Sequence, residues 1–258
     1  MNTTVLSVEN LSIGYQSSKK QHVICKDIHF DLYKGELICL LGRNGSGKST
    51  LLKTIGNMLP ALQGTIKINN IDYSKLSSLD FAKNIAVVLT ESLPENSLSV
   101  FETIALGRQP YTNWLGKITE KDEQIVLNAM GLTDTIDLKN RLVNQLSDGQ
   151  LQRVMIARAL AQDTPIILLD EPTSHLDIHH KINIFKILGK ISQETQKTIL
   201  ISTHEINLAL KNAHRLLIIN NATFEIGKAI EDNIQKNLAC VFNSDDITYD
   251  TNSNQFLF

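Results

Sequence analysis

The stretch Leu40 to Thr50 reads LLGRNGSGKST and places Gly42, Gly47, Lys48 and Ser49 at the spacing of a phosphate-binding loop. Glycine is needed at such positions because side chains would block close approach of the backbone to a phosphate. Successive N–H groups and a helix N-terminus then form an anion cradle. Lys48 adds a point charge towards the terminal phosphates, and Ser49 offers a hydroxyl to Mg²⁺. Asn44, Gly45 and Thr50 complete the set expected to contact nucleotide. The alternative, a glycine-rich turn that binds nothing, is disfavoured by the apolar strand before the loop and the helical pattern after it. A second chemical element lies in IILLDEP, where an apolar run carries Asp170 and Glu171 to the end of a strand. Ligands bind at such carboxyl ends in open α/β sheets. Asp170 suits the outer shell of Mg²⁺, and Glu171 suits activation or orientation of an attacking water, a role worth roughly 10² to 10⁴ in rate. A nucleoside triphosphate and Mg²⁺ are the expected substrate and ion.

These residues need a scaffold, and the chain supplies a change of pattern along its length. TVLSVENLSIGYQ, KDIHFDLYKGELICLLG and GTIKINNIDYS read as strands, so the front third is strand-rich. From Val100 to about Arg141 the pattern turns helical, with Ile104, Ala105, Ile125, Val126, Ala129 and Met130 spaced for helix faces. Afterwards PIILLDEP and KTILISTHE, separated by the helical HHKINIFKILGKISQET, predict buried parallel strands with a crossover helix. The expected class is therefore α/β. The 258 residues are 42% apolar and 20% charged, which is ordinary globular usage and enough to bury a core. A net charge of -2 argues against a nucleic-acid partner. Cys25, Cys39 and Cys240 lack metal or redox spacing and read as small buried hydrophobes. With neither a secretion-signal pattern nor a span of about 18 apolar residues, the chain is expected in the cytosol.

LSDGQLQRVMIARALA, at 146 to 161, resembles the signature helix of ATP-binding-cassette (ABC) ATPases. The resemblance spans the chain in order: Tyr15 resembles an adenine-stacking aromatic, followed by the phosphate loop, the signature, SHLD at 174 to 177, and STHE with His204. It implies a P-loop NTPase ABC nucleotide-binding domain over residues 1–258, with a RecA-like core, an antiparallel β part, a helical subdomain at about 91–155 and a terminal hairpin at about 239–258. It also implies that Ser147, Gly149 and Gln150 of one subunit cap the γ-phosphate held by the other, so that hydrolysis requires a homodimer. His204 is similar to the switch histidine that contacts the γ-phosphate, and Asp177 to the aspartate that crosses the dimer interface. Taken alone, His204 would read as a strand-end histidine satisfied by the core.

Two positions depart from the family pattern. At the end of IAVVLTE the family has a glutamine that senses Mg²⁺ and the transport partner, whereas this chain has Thr90, followed by Glu91. Thr90 falls on the glutamine position and its hydroxyl suits a water-bridged Mg²⁺ shell, while Glu91 would add negative charge beside phosphate. Both remain candidates, with a loop that touches no metal as the alternative. Asp148 replaces a signature glycine. Facing the γ-phosphate at about 5 Å it would cost about 3 kcal/mol per unit charge, so it is expected to point away and, with Ser147, to cap the signature helix.

The helical stretch from Val100, with Gly107, Arg108 and Pro110, and the tail VFNSDDITYDTNSNQFLF resemble the iron-chelate, haem and cobalamin uptake subfamily. That resemblance implies membrane-spanning permease partners, an extracytoplasmic binding protein acting indirectly, and a peripheral place on the cytoplasmic side of the cell membrane. Tyr111 and Trp114 are candidates for gripping the permease, or else for local packing. His175, His179 and His180, and the segments KLSSLD and TEKDEQ, read as solvated turns and helix starts. DNA-repair relatives need a long coiled coil and translation relatives two cassettes, and this sequence has neither; a module that binds nucleotide without hydrolysing it is the remaining rival.

Overall fold

The computed structural model describes residues 3–16, 20–89, 98–113, 116–220, 223–243, 247–250, 253 and 255–257. Thr90, Glu91 and Trp114 lie outside the described residues. The two long strands read from the front of the sequence, β1 (Thr4–Gln16) and β2 (Gln21–Tyr33), pair antiparallel. β4 (Gln63–Ile68) joins the other side of β1, and β5 (Ile71–Asp72) completes a sheet of order β2-β1-β4-β5. This register sets Tyr15 opposite His22 at the far end of the β1–β2 ribbon.

The continuous apolar runs form a second sheet, of order β10-β9-β3-β8-β7-β6. Its members are β3 (Leu37–Gly42), β6 (Ile85–Val88), β7 (Ile166–Asp170), β8 (Thr198–Ser202), β9 (Arg215–Asn220) and β10 (Thr223–Gly227), all parallel except β10. Every residue of β3, β7 and β8 is buried, because both faces of this sheet are covered. Along β3 the alternation divides two cores. Ile38 and Leu40 pack with β1, β2, β4 and helix α1 (Lys48–Ile55), whereas Leu37, Cys39 and Leu41 face the helical layer. Burial pushes the Cys39 thiol far up, so it behaves as an inert hydrophobe. Cys25 is buried as well, but Cys240 lies on the exposed face of its helix, contrary to the sequence expectation.

A short helix α2 (Ser78–Ala82), capped by Ser77, precedes β6. Helices α3 (Val100–Ala105), α4 (Glu120–Leu132) and α5 (Asp148–Ala161) follow β6, and each opens with a capping box: Ser99 with Glu102, Thr119 with Asp122, and Ser147 with Gln150. TEKDEQ therefore begins a helix as expected, but its Asp122 is buried. Arg108 Nε donates to Asp122 Oδ1 at 2.9 Å and its Nη1 to the Ala161 carbonyl at 2.9 Å, tying the GRQP turn to both α4 and α5. Hydrogen bonds from Thr119, opposed by burial and aided by Arg108, hold the Asp122 carboxyl below its ordinary range. Asp122→Ala leaves the Arg108 guanidinium buried without its counter-charge, and is expected to lower unfolding stability by about 2 kcal/mol, read from the urea midpoint at unchanged slope.

α6 (Ile178–Thr195) is the crossover between β7 and β8, burying Ile184, Phe185, Leu188 and Ile191. α7 (Ile206–Asn212) follows β8, and α8 (Asp232–Phe242) follows β10. β11 (Thr248–Asp250) and β12 (Gln255–Leu257) form the terminal hairpin. Residues 239–242, which the sequence reading gives to that hairpin, instead end α8, because Ile234, Leu238 and Val241 share its buried face. The signature helix ends at Ala161, as the sequence reading of 146 to 161 expects, with Val154, Ala157 and Ala161 buried.

Candidate functional site

The carboxyl ends of β3, β7 and β8 adjoin at the centre of the parallel sheet, so the three loops with chemistry emerge side by side. The loop after β3 turns through Gly45 (φ 76°) and Gly47 (φ 105°) into α1. Gly47 is required twice over, because its φ is left-handed and a Cβ there would strike Ile24. Its lack of a side-chain cap leaves the first-turn N–H groups of α1 to the loop and to whatever binds there. Lys48 Nζ crosses the loop to the carbonyls of Gly42 (2.9 Å) and Arg43 (3.2 Å) and stands 4.0 Å from Glu171 Oε1. Burial pushes the Lys48 ammonium below its usual range, while Glu171 and Asp170 work against that shift. Tyr15, half exposed, closes the other side through a 3.2 Å hydrogen bond between its hydroxyl and Thr50 Oγ1. Tyr15, Ile24, Asn44, Gly45, Gly47, Lys48, Ser49, Thr50 and Glu171 line a cavity of about 330 Å³.

At the adjoining strand end, Ser49 Oγ donates to Asp170 Oδ1 at 3.1 Å. A hydroxyl beside a carboxylate is a hard-oxygen donor set, which fits Mg²⁺ and a phosphate oxygen. Glu171 adopts a left-handed backbone (φ 47°) and its Oε1 meets His204 Nε2 at 2.5 Å. The His204 side chain is 40% exposed and engages the site, so the reading of a histidine satisfied by the core does not hold. Ser202, which sequence reasoning misses, contacts both acidic residues: its Oγ donates to Asp170 Oδ1 at 2.6 Å and accepts the Glu171 N–H at 2.9 Å. The only signal would have been the pairing of β7 with β8, which sets Ser202 against Asp170.

The structure does not bring the signature to this cavity; among the described residues, none of α5 lines it. Ser147 is the exposed cap of α5, its Oγ accepting from Gln150 N at 3.4 Å, so its hydroxyl proton is not used by the cap. Asp148 is exposed in the first turn and makes no side-chain cap there, so only Ser147 caps. Gly149 is buried against His180, whose ring a Cβ would overlap. His180 Nδ1 is 2.8 Å from Asp177 Oδ2, and Asp177 also caps α6 by accepting from His180 N at 2.9 Å. His180 is therefore a half-exposed helix-start residue, as expected, whose ring also packs against Gly149 of the signature. Ser147, Gly149, Gln150 and Asp177 thus make a second cluster, with Ser147 and Asp177 exposed and Gly149 buried under His180.

The ABC transporter family model matches residues 25–174, from β2 through the phosphate loop and signature to the turn after Glu171. Among relatives, the achromobactin transport ATP-binding protein of Dickeya dadantii is 37% identical over 243 residues, covering 94% of this chain and 89% of its own. A metal-chelate type ABC transporter solved in an inward-facing conformation superposes with TM-score 0.79 at 31% identity, over 93% of this chain and 89% of that one. The ATP-binding cassette MJ0796, solved as a dimer in a post-hydrolysis state bound to ADP and Pi, gives TM-score 0.74 at 28% identity, over 86% of this chain and 98% of that one. With a phosphate loop, paired strand-end acids and a capped signature helix in one chain that matches across its length, this protein belongs to the ABC transporter ATP-binding family.

Proposed function

We propose that this chain is a single-domain ATP-hydrolysing subunit of an importer for an iron chelate such as a siderophore, or for haem or cobalamin, working as a homodimer on membrane-spanning permease subunits. The observation that carries the composite-site reading is the separation of the two clusters. The cavity holding Lys48, Ser49 and Glu171 has no signature residue among its described lining, and Ser147 is an exposed helix cap that does not reach it. A second copy supplies what each site lacks. The metal-chelate transporter and the achromobactin relative support the importer class; an ABC ATPase of another importer is the second reading. Among the described residues no helix is long and apolar enough to cross a membrane, which suits a peripheral subunit on the cytoplasmic side that meets an extracytoplasmic binding protein only through the permease.

In this reading Tyr15 stacks on the adenine, and the N–H groups of residues 42–50 with Lys48 hold the phosphates. Ser49 and Asp170 hold Mg²⁺, which supplies charge neutralisation at the phosphates, and Thr90 is assigned to its water shell on sequence position alone. The Glu171 carboxylate, bonded to His204 in this conformation, orients the attacking water and accepts its proton once His204 turns to the γ-phosphate. Ser147, Gly149 and Gln150 arrive from the partner copy, and Asp177 crosses the interface. Purified protein with its permease is expected to release phosphate from ATP only when Mg²⁺ is present, with turnover per protomer rising with protomer concentration. ATP binding without phosphate release in the presence of the permease would instead identify a nucleotide-binding module that does not hydrolyse.

A further inference from the structure

We infer that Ser202 is a positioning residue for both catalytic carboxylates: its buried hydroxyl joins the side chain of Asp170 to the backbone of Glu171 and fixes the two acids relative to each other. This rests on the ATPase reading of the site and gives a role to the serine of STHE, a motif from which only His204 had been assigned one.

Ser202 ends β8 and is fully buried. Its neighbours Ile199, Leu200 and Ile201 are apolar, and an alanine would fill the same place without needing hydrogen-bond partners. The hydroxyl therefore acts through its bonds, and both end on catalytic residues. Ser202 Oγ donates to Asp170 Oδ1 at 2.6 Å, the short distance of a charge-assisted bond. Ser49 Oγ donates to the same oxygen at 3.1 Å, so Ser202 sets the carboxylate plane that Ser49 and Mg²⁺ meet. In the other direction Ser202 Oγ accepts from Glu171 N at 2.9 Å, and the Ser202 carbonyl accepts from that N–H at 3.2 Å. Glu171 needs this grip because its φ of 47° is a conformation that a residue with a Cβ adopts at a cost. The left-handed turn directs the Glu171 side chain to His204 and to within 4.0 Å of Lys48. Loss of the hydroxyl loosens the metal side and the water side together, whereas nucleotide affinity rests on the phosphate loop and Tyr15.

The test compares Ser202→Ala with the parent for ATP affinity, kcat and the Mg²⁺ concentration at half-maximal rate. ATP affinity is expected to stay within about twofold, while kcat falls about tenfold and the Mg²⁺ requirement rises severalfold, as for loss of a charge-assisted hydrogen bond. Thr198→Ala is the structural control, since it removes another fully buried hydroxyl from the same strand, bonded to the Tyr33 carbonyl, and is expected to keep both values. Ser202→Thr retains the hydroxyl and is expected to recover most of kcat. Should the alanine variant not fold, Ser202→Cys, a weak donor of similar shape, is expected to show the same two changes. A Ser202→Ala enzyme with parental kcat and Mg²⁺ dependence, or a Thr198→Ala enzyme impaired equally, overturns this assignment alone. A parent that hydrolyses no ATP overturns the underlying reading and this one with it.

Discussion

Glu171→Gln is expected to lower steady-state hydrolysis by at least about 10²-fold while ATP still binds, leaving the protein as an ATP-loaded dimer. The substitution keeps the shape of the side chain and an oxygen that can accept from His204 Nε2, now 2.5 Å from Glu171 Oε1. It removes the negative charge 4.0 Å from Lys48 and the ability to take a proton from water. Lys48, Ser49 and Asp170, proposed to hold the phosphates and Mg²⁺, are untouched. Binding and turnover should therefore separate: phosphate release disappears, and light scattering with Mg²⁺-ATP reports twice the protomer mass. Parental turnover in this variant would remove Glu171 from the water-activating role.

Ser147→Arg should abolish hydrolysis while each protomer binds ATP with parental affinity. The reason is distance in the fold rather than loss of structure. Ser147 is an exposed helix cap whose cluster, with Gly149, His180 and Asp177, lies apart from the nucleotide cavity of its own chain. Losing the cap costs about 1 kcal/mol of stability, which a folded domain tolerates. A bulky cation at this position, by contrast, displaces the signature donors from the partner's γ-phosphate while the two copies still associate. Fluorescent-nucleotide titration against phosphate release distinguishes the two, and a parallel loss of binding would mean that the signature acts within its own chain.

How much of this was readable before the structure depends on the range of each interaction. The phosphate loop is contiguous, and its glycines, lysine and serine carry their geometry with them. Asp170 and Glu171 are legible because a continuous apolar run must deliver the polar residues at its end to the edge of a sheet. The capping boxes at Ser99, Thr119 and Ser147 are also local. The contacts that stayed hidden depend on strand order and helix packing. Nothing in STHE indicates that Ser202 touches Asp170 until β8 is placed beside β7. Asp122 reads as a solvated helix start because its partner Arg108 reaches it through tertiary packing, and the contact of His180 with Gly149 is hidden because the two lie on different helices.

The central claim is that each catalytic site is shared between two copies, and mixing two inactive variants tests it most directly. Ser147→Arg and Glu171→Gln each leave homodimers without hydrolysis. In a mixed dimer, one site combines the intact phosphate loop and Glu171 of the first protomer with the intact signature of the second, while the other site carries both lesions. Mixing the two purified proteins with Mg²⁺-ATP is predicted to restore phosphate release from a baseline near zero. Mixed dimers that form, as shown by co-purification of differently tagged protomers, yet release no phosphate would contradict a site built from two chains.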